Sequence, residues 1–369
     1  MTNRSVNEPS NGLEGSALME PNFIPGLTLS GQFYWEVIRP LLDVHYPGIP
    51  HSAALLGKGS EVLGFDTAQS MDHDWGSRLM LFLNEKDHSN SAPALEEMLR
   101  RHLPDQFHGF PVQWLIDGPS AYHCVELLTI GGFFLDYLNF DLRGEIEPAD
   151  WLTFPEQKLR TIVSGGLYWD EVGLQAARER FQYYPRDIWL YLLAAGWSRI
   201  GEEGHLMGRA GSAGDEIGSA LIAARLVRDL MRLCFLMEKQ YAPYPKWFGT
   251  AFARLPGVTE LTSTLQKVLT AADWEDRQKY LAMAYEIMAA KHNRLGLTES
   301  VEEKVSYFFG RPFLVIDEGR IVQAIKEQIV DINVKQIAEK SPIGSLDQFS
   351  DSTALLSDLD RRPILKQLY

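Results

Sequence analysis

The order of apolar and polar residues divides the chain into an earlier part with strands and a later part that is mainly helical. Apolar residues at helical spacing predict helices over residues 32–42 and 94–103. Short apolar runs predict strands over residues 52–56, 75–83, 112–116 and 122–129. From about residue 150 the pattern predicts helices over residues 188–200, 215–239, 260–272, 274–292 and 321–339. The chain is therefore expected to have an α+β fold, in which a small mixed β-sheet domain precedes an α-helical bundle.

The same pattern predicts where the domains begin and end. We expect the β-sheet domain over residues 31–150 and the helical domain over residues 151–340. Residues 1–30 are rich in Asn, Ser, Pro and Gly and lack the basic start and apolar core of a secretory signal, which predicts a mobile leader. Residues 341–369 are polar with short apolar breaks, which predicts a loosely docked tail.

Charge and cysteine content narrow the classes of function. The chain of 369 residues has a formal net charge of −14, whereas proteins that grip long nucleic acids are usually basic, so we expect no nucleic-acid partner. The chain lacks an apolar run of the roughly 18 residues that a membrane helix needs, so we expect no membrane association. Its two cysteines, Cys124 and Cys234, predict buried free thiols in a reducing, cytoplasmic setting. The oligomeric state stays open.

A Gly-Ser turn and an acidic pair carry the candidate chemistry. Gly59-Ser60 follows the first predicted strand, and a spacer at residues 61–71 separates this turn from Asp72 and Asp74, which open the second strand. Gly59 lets the backbone approach a phosphate, and Ser60 offers a hydroxyl and an N–H to phosphate oxygens. Because side chains alternate along a strand, Asp72 and Asp74 are expected on one face, where they could hold Mg²⁺ against a triphosphate.

This arrangement resembles the DNA polymerase β-like nucleotidyltransferase superfamily, whose motif joins a Gly-Gly or Gly-Ser turn to an acidic-x-acidic triplet. The longer pattern is similar to an uncharacterised family in which such a domain precedes a helical region. This similarity is carried by residues 59–66, 70–76, 150–152, 214–216, 241–247 and 308–313. The resemblance implies a nucleotidyltransferase with Mg²⁺ as cofactor and ATP, or another nucleoside triphosphate, as substrate. One departure is the spacer, where Gly64 and polar residues 66–69 replace the helix that superfamily members often have.

The resemblance also implies a third carboxylate on a later strand. Glu126 is the best match, because an unpaired charge in an otherwise apolar strand would be costly, although it could also be a solvent-facing residue at a sheet edge. Asp117 is the alternative, but Asp117-Gly118 is typical of a turn. Arg78 would share the face of the acidic pair in an unbroken strand and could bind phosphate, or it could be a surface residue.

The predicted helical domain offers further candidates, because helical domains in related antibiotic nucleotidyltransferases close over the nucleotide. Lys246, behind a stiff proline-containing stretch, could contact the β- and γ-phosphates, or it could be a surface lysine beside Trp247. Asp215, or its neighbour Glu216, could be a general base for the acceptor hydroxyl, although Asp215 also suits a helix N-cap.

The helix predicted over residues 215–239 should have an apolar and a polar face. The expected apolar positions are Ile217, Leu221, Ala224, Val227, Met231, Cys234 and Phe235. The polar face carries Arg225, Arg228 and Arg232, a pattern typical of a solvated, salt-bridged surface.

These features together predict a Mg-dependent enzyme that transfers a nucleoside monophosphate, in the first instance AMP from ATP, to a hydroxyl of a small-molecule acceptor and releases pyrophosphate. The acidic charge favours a cationic acceptor. The alternative is a catalytically weak nucleotide-binding or regulatory protein on the same scaffold. The net charge disfavours a transfer-RNA-modifying enzyme.

Overall fold

The N-terminal helices begin earlier than the pattern predicts. The computed structural model describes residues 22–72, 75–115 and 121–369. Three helical segments follow one another near the start of this part of the chain: α1 (Gly26–Phe33), a π-helical turn (Tyr34–Ile38) and α2 (Arg39–His45). Leu29 and Ser30 are buried. The predicted helix is therefore confirmed, and the predicted mobile leader is wrong for its last residues, while residues 1–21 lie outside the described part.

Four of the described strands form one mixed sheet. The strands in chain order are β1 (His51–Leu55), β2 (Leu79–Leu83), β3 (Gln106–Phe107), β4 (Phe110–Pro111), β5 (Gln113–Leu115), β6 (Ala121–His123), β7 (Val125–Thr129), β8 (Gly166–Asp170), β9 (Ser306–Tyr307) and β10 (Leu314–Val315). The sheet has the order β7-β2-β1-β8. Strand β1 is antiparallel to β2 and β8, and β2 is parallel to β7. This topology confirms the predicted small mixed sheet.

Helices make up most of the remaining structure. After α2 they are α3 (Glu85–His102), α4 (Ile130–Leu138), α5 (Pro148–Thr153), α6 (Glu156–Val163), α7 (Leu174–Glu179), α8 (Arg186–Ser212), α9 (Glu216–Met237), α10 (Pro245–Ala253), α11 (Thr259–Thr270), α12 (Trp274–Arg294), α13 (Glu318–Lys326), α14 (Ile332–Glu339), α15 (Leu346–Phe349), α16 (Thr353–Ser357) and α17 (Arg362–Leu365). Together with the sheet, they confirm the α+β class. Of the helices described, none is long and apolar enough to cross a membrane.

The sheet lies between two apolar layers. Side chains of β2 alternate between them, because successive residues of a strand point to opposite faces. Leu79 and Leu81 pack with the N-terminal helices and α3. Met80 and Phe82 pack with α4 and the later helices. One face of the sheet therefore shares its core with the helical part of the chain.

The strands differ from the pattern in three ways. Strand β2 begins at Leu79 rather than at residue 75, because β1 ends at Leu55 and offers no partner to the preceding residues. The strand predicted over residues 122–129 is two strands, β6 and β7, which belong to different sheets. Strand β8 lies beyond residue 150, in the part of the chain that was predicted to be helical, yet it pairs with β1. The predicted helical structure is therefore wrong at β8. The predicted division into domains stays a prediction.

The helices also differ from the pattern. In α9, Ile217 and Leu221 are 77% and 64% exposed, so the predicted apolar face is wrong at the first turns. The smaller Ser219 and Ala223 are buried there instead, and Ser219 Oγ accepts a hydrogen bond from Arg277 Nη1 at 2.7 Å. The helix predicted over residues 321–339 is two helices, α13 and α14.

The C-terminal segment is fastened to the helical core, so the prediction of a loosely docked tail is wrong. Arg362 is buried and forms an ion pair with buried Asp150. Its guanidinium also donates to Thr153 Oγ1 at 3.1 Å. At the end of the chain, the Tyr369 hydroxyl donates to the carbonyl oxygen of Gly344 at 2.7 Å. The polar sequence of the C-terminal segment therefore does not reveal its buried contacts.

The two cysteines are buried free thiols, as predicted. Burial raises the pKa of both Cys124 and Cys234 to about 12. Both therefore remain protonated near neutral pH.

Candidate functional site

An open cleft lies at the end of the sheet where β1 finishes and β2, β7 and β8 begin. The strand directions bring these ends together, because β1 runs against β2 and β8 while β7 runs with β2. This strand-end cleft has a volume of about 340 Å³. It is lined by Leu56, Gly57, Lys58, Arg78, Met80, Glu126, Leu128, Phe133, Asp136, Tyr137 and Lys158.

Among the described residues, three cationic side chains line the strand-end cleft. Lys58 follows β1, Arg78 directly precedes β2, and Lys158 comes from α6. The Lys158 ammonium donates to the carbonyl oxygen of Tyr137 at 3.0 Å and lies 4.6 Å from the centre of the Tyr137 ring. Burial, and then the charge of Lys58, lower the pKa of Lys158 to about 8. Carboxylates line the same cleft, so its charges are mixed, and the cations among them can contact an anionic ligand.

Arg78 is paired with a buried carboxylate. Arg78 Nη1 lies 3.0 Å from Glu61 Oε1, and Glu61 is only 2% exposed. Gly59 lies against this carboxylate with φ +122°, and a Cβ added to Gly59 would collide with it. Gly59 is thus required by the local turn and by Glu61, in addition to any approach of a phosphate.

The segment after β1 is held in place by the helical part of the chain. The Gly57 N–H donates to the carbonyl oxygen of Thr161 in α6 at 3.3 Å. Phe65 stacks on Trp247 of α10 with ring centres 5.4 Å apart. The Arg254 guanidinium also lies over the Phe65 ring, 4.4 Å from the ring centre. These contacts fix the turn that follows β1 relative to the helices that border the cleft.

Ser60 lies inside this turn rather than on the wall of the cleft. Its carbonyl oxygen accepts the N–H groups of Leu63 and Phe65 at 3.2 and 3.0 Å. Gly57 and Lys58 line the cleft in its place. The predicted phosphate contact of Ser60 stays a prediction, and the structure adds Gly57 and Lys58 as candidates for such a contact.

Asp72 does not belong to a strand as the sequence argument assumed. Asp72 ends a 3₁₀ helix (Ala68–Asp72), so the alternation of strand side chains does not apply to it. Asp74 lies outside the described residues, as does the alternative carboxylate Asp117. That Asp72 and Asp74 share a metal ion therefore stays a prediction.

Glu126 is the predicted site carboxylate that the structure places at the cleft. It is exposed, and it lies opposite Met80 in the parallel pair of β7 and β2. Because β7 is an edge strand, the alternative of a solvent-facing edge residue describes it equally well. Among the described residues, no three or more His, Cys, Asp or Glu side chains are grouped to hold a metal ion. The predicted Mg²⁺ set depends on Asp74 and stays a prediction.

A second cavity adjoins the strand-end cleft and shares Lys58, Tyr137 and Lys158 with it. This cavity, the tail chamber, has a volume of about 460 Å³. Its other walls come from the start of α6, from Arg232, from the stretch that leads into α10, and from the C-terminal segment. The helical part and the tail therefore both border the site.

Two candidates from the helical part do not reach these cavities. Lys246 is exposed, with its ammonium 5.0 Å from the centre of the Trp247 ring, and it lines neither cavity. Asp215 is the N-cap of α9 and accepts the Gly218 N–H at 2.8 Å. Arg232 of the same helix lines the tail chamber, and the rise of an α-helix puts it roughly 25 Å from Asp215. The general-base role of Asp215 stays a prediction, and this spacing does not support it.

The polar face of α9 is confirmed in part as a salt-bridged surface. Arg225 pairs with Glu203 at 3.0 Å, and Arg228 pairs with Asp351 at 2.8 Å. Arg232 differs, because it is largely buried and lines the tail chamber.

Sequence reasoning missed Lys58, Glu61 and Lys158. Lys58 had a usable signal, since it stands between two glycines directly after a buried strand. Glu61 had none, because its burial depends on Arg78 and on the fold around Gly59. Lys158 had none either, because it approaches the cleft only when α6 packs beside β1.

Part of the chain matches a known protein family, and its fold is weakly similar to a solved structure. A family described as "Domain of unknown function (DUF4037)" matches residues 151–248, which include Lys158 and Tyr244. The crystal structure of a nucleotidyltransferase-like protein from Exiguobacterium sibiricum 255-15 is similar over 83% of this chain and 91% of that chain, with 9% sequence identity and a TM-score of 0.33. No curated protein matches the chain.

Proposed function

We propose that the strand-end cleft binds the phosphates of a nucleoside triphosphate, in the first instance ATP, and that the protein transfers its nucleotidyl group to a hydroxyl of a small acceptor. The observation that carries this proposal is the convergence of Lys58, Arg78 and Lys158 on one cleft in a protein of net charge −14. Lysine and arginine are the side chains that most often bind phosphate.

The motif segment supports the same reading. Gly57 lines the cleft with φ +79°, a conformation that glycine adopts readily, and it adds no side chain to the cleft wall. Glu61 positions Arg78 from the buried side, so that the guanidinium remains at the cleft. Asp72 and Asp74 precede Arg78 closely in the chain, which is where the resemblance to nucleotidyltransferases expects metal-binding carboxylates.

In the proposed reaction, the acceptor hydroxyl oxygen forms a bond to the α-phosphorus. The bond between the α-phosphorus and the oxygen that bridges to the β-phosphate breaks, pyrophosphate leaves, and the hydroxyl proton passes to water. Lys58, Arg78 and Lys158 would hold the phosphates and neutralise their charge. Mg²⁺, when bound, would add further charge neutralisation, with Glu126, Asp72 and Asp74 as its proposed ligands.

Calorimetric titration with Mg·ATP tests the binding half of the proposal. We expect Lys58→Ala and Lys158→Ala each to weaken binding by about tenfold or more, since a hydrogen bond to a charged group contributes about 1.5–3 kcal/mol. Lys335→Ala is the matched control, because Lys335 is exposed on α14 and should leave the affinity unchanged. Equal affinities in all four proteins would refute phosphate binding at this cleft.

Pyrophosphate release tests the catalytic half. The wild type is incubated with Mg²⁺, ATP and a library of hydroxylated acceptors, beside an Asp72→Asn/Asp74→Asn double variant. Release by the wild type and its loss in the double variant are expected. The same release from both proteins would place any activity elsewhere. Tight Mg·ATP binding without release would support the second function, a nucleotide-binding regulator.

A further inference from the structure

The tail chamber is a second binding volume beside the proposed phosphate site. It adjoins the strand-end cleft at Lys58, Tyr137 and Lys158, which line both cavities. Its volume of about 460 Å³ lies in the range of small-molecule sites. A molecule in the chamber would therefore lie next to a nucleotide whose phosphates contact the two lysines.

The charges around the chamber do not favour a cationic ligand. Asp351 is paired with Arg228 at 2.8 Å. Asp347 is buried and accepts the backbone N–H of Glu156 at 2.8 Å, so it is directed into the protein. Arg232 is paired with Glu156 at 3.2 Å. Among the described residues, Lys58 and Lys158 are the remaining charges on the chamber wall, and they repel cations.

The remaining wall is apolar and neutral. Pro155, Pro243, Tyr244 and Leu356 supply apolar surface. Gln157, Thr353 and Ser357 supply an amide and two hydroxyls, which can both donate and accept hydrogen bonds without carrying charge. Such a surface matches a ligand with one apolar face and several hydroxyl groups.

We propose that the tail chamber is the acceptor site and that it takes a neutral, carbohydrate-like acceptor, with the C-terminal segment as one wall. This inference rests on the proposed nucleotidyl transfer. An acceptor hydroxyl in the chamber attacks the α-phosphorus from the side of Lys58 and Lys158, and pyrophosphate leaves along the strand-end cleft. The net charge alone favoured a cationic acceptor, whereas the residues of the chamber wall favour an uncharged one.

Saturation-transfer NMR tests the chamber directly. The full chain is measured with glucose, myo-inositol and trehalose, and with glucosamine and spermidine as positively charged probes, each with and without Mg·ATP. We expect at least one neutral probe to bind and glucosamine to bind at least tenfold more weakly than glucose. Preference for the charged probes, or binding of none of the neutral ones, would overturn the inference.

A chamber-filling variant links this binding to the chamber. We expect Leu356→Trp to reduce carbohydrate binding and pyrophosphate release at least tenfold while Mg·ATP affinity stays within twofold. Leu269→Trp is the matched control, because Leu269 is exposed on α11 and lies outside the chamber. Unchanged carbohydrate binding in Leu356→Trp would overturn the inference.

A Tyr244→Ala variant and thermal unfolding separate a loss of carbohydrate binding from a loss of folding. Tyr244→Ala removes an aromatic wall without filling the chamber and should also weaken carbohydrate binding, and thermal unfolding shows that each variant is folded. Absence of Mg·ATP binding in the wild type refutes the proposed function itself. Mg·ATP binding combined with preference for charged probes refutes only the acceptor class.

Discussion

At the scale of single residues, the motif predicts the neighbourhood of the site better than its contacts. Arg78 and Glu126 line the strand-end cleft, although Arg78 precedes β2 and does not share a strand with Asp72. Gly59 and Ser60 mark the correct turn, but Gly57 and Lys58 face the cleft. The difference arises because a sequence motif specifies where the chain turns, whereas the backbone angles of the turn decide which residue faces outward.

Lys158 should make nucleotide binding depend on pH. Its pKa is lowered to about 8 by burial and by Lys58, so it loses its charge as the pH rises through that value. Other titratable groups on the cleft walls include Arg78, Asp136, Glu126 and Tyr137, and burial raises the pKa of Tyr137, which stays neutral. We expect wild-type Mg·ATP affinity to fall by up to about tenfold between pH 7 and pH 9.

Calorimetry of Lys158→Arg at pH 7, 8 and 9 checks this expectation. Arginine remains charged over the whole range, so the variant should lose much less affinity than the wild type. An equal loss in both proteins would assign the pH dependence to another group.

At the scale of elements, the sequence predicted what depends on local pattern. Strand β1 and the first half of helix α8 were predicted because each is a continuous apolar run. Strand β8 and the docked tail were missed because their contacts lie far away in the chain: β8 pairs with β1, and Arg362 pairs with Asp150. Polar composition does not reveal a buried ion pair, since the partner is fixed only by the fold.

The tail offers a matched pair of arginines for a stability test. Arg362→Met should lower the free energy of unfolding by about 1.5–3 kcal/mol, because the buried carboxylate of Asp150 loses its guanidinium and keeps only the Lys366 ammonium at 2.9 Å. Arg361→Met is the control, since its pair with Asp358 is exposed and should contribute less than about 1 kcal/mol. Urea denaturation measures both. Similar losses in the two variants would contradict the buried anchor.

At the scale of the whole molecule, burial of two carboxylates beside one guanidinium joins three distant parts of the chain. Glu156 of α6 accepts the Ala242 N–H at 2.9 Å and pairs with Arg232 of α9, while Asp347 of the tail accepts the Glu156 N–H. Burial, opposed by Arg232 and reinforced by the charge of Asp347, raises the pKa of Glu156 to about 7. The folded protein therefore binds a proton more readily at Glu156 than the unfolded chain does.

This raised pKa gives stability a defined pH dependence. The contribution is fully present below the ordinary pKa of a glutamate and is lost as the pH rises through about 7. Between pH 5.5 and pH 8, we expect Glu156 to lower the free energy of unfolding by an amount on the order of 2 kcal/mol. Glu156→Gln should flatten this slope in urea denaturation. The exposed Glu260→Gln should keep it, and an unchanged slope in Glu156→Gln would contradict the assignment.

Strand β8 also bears on how the chain acquires its structure during synthesis. Strand β1 is central in the finished sheet, yet only β2 is available to pair with it until residues 166–170 have left the ribosome. Throughout that interval, one row of β1 backbone N–H and C=O groups is open, and an open strand edge readily pairs with another chain. The nascent protein thus stays prone to aggregate until the sheet receives its last strand.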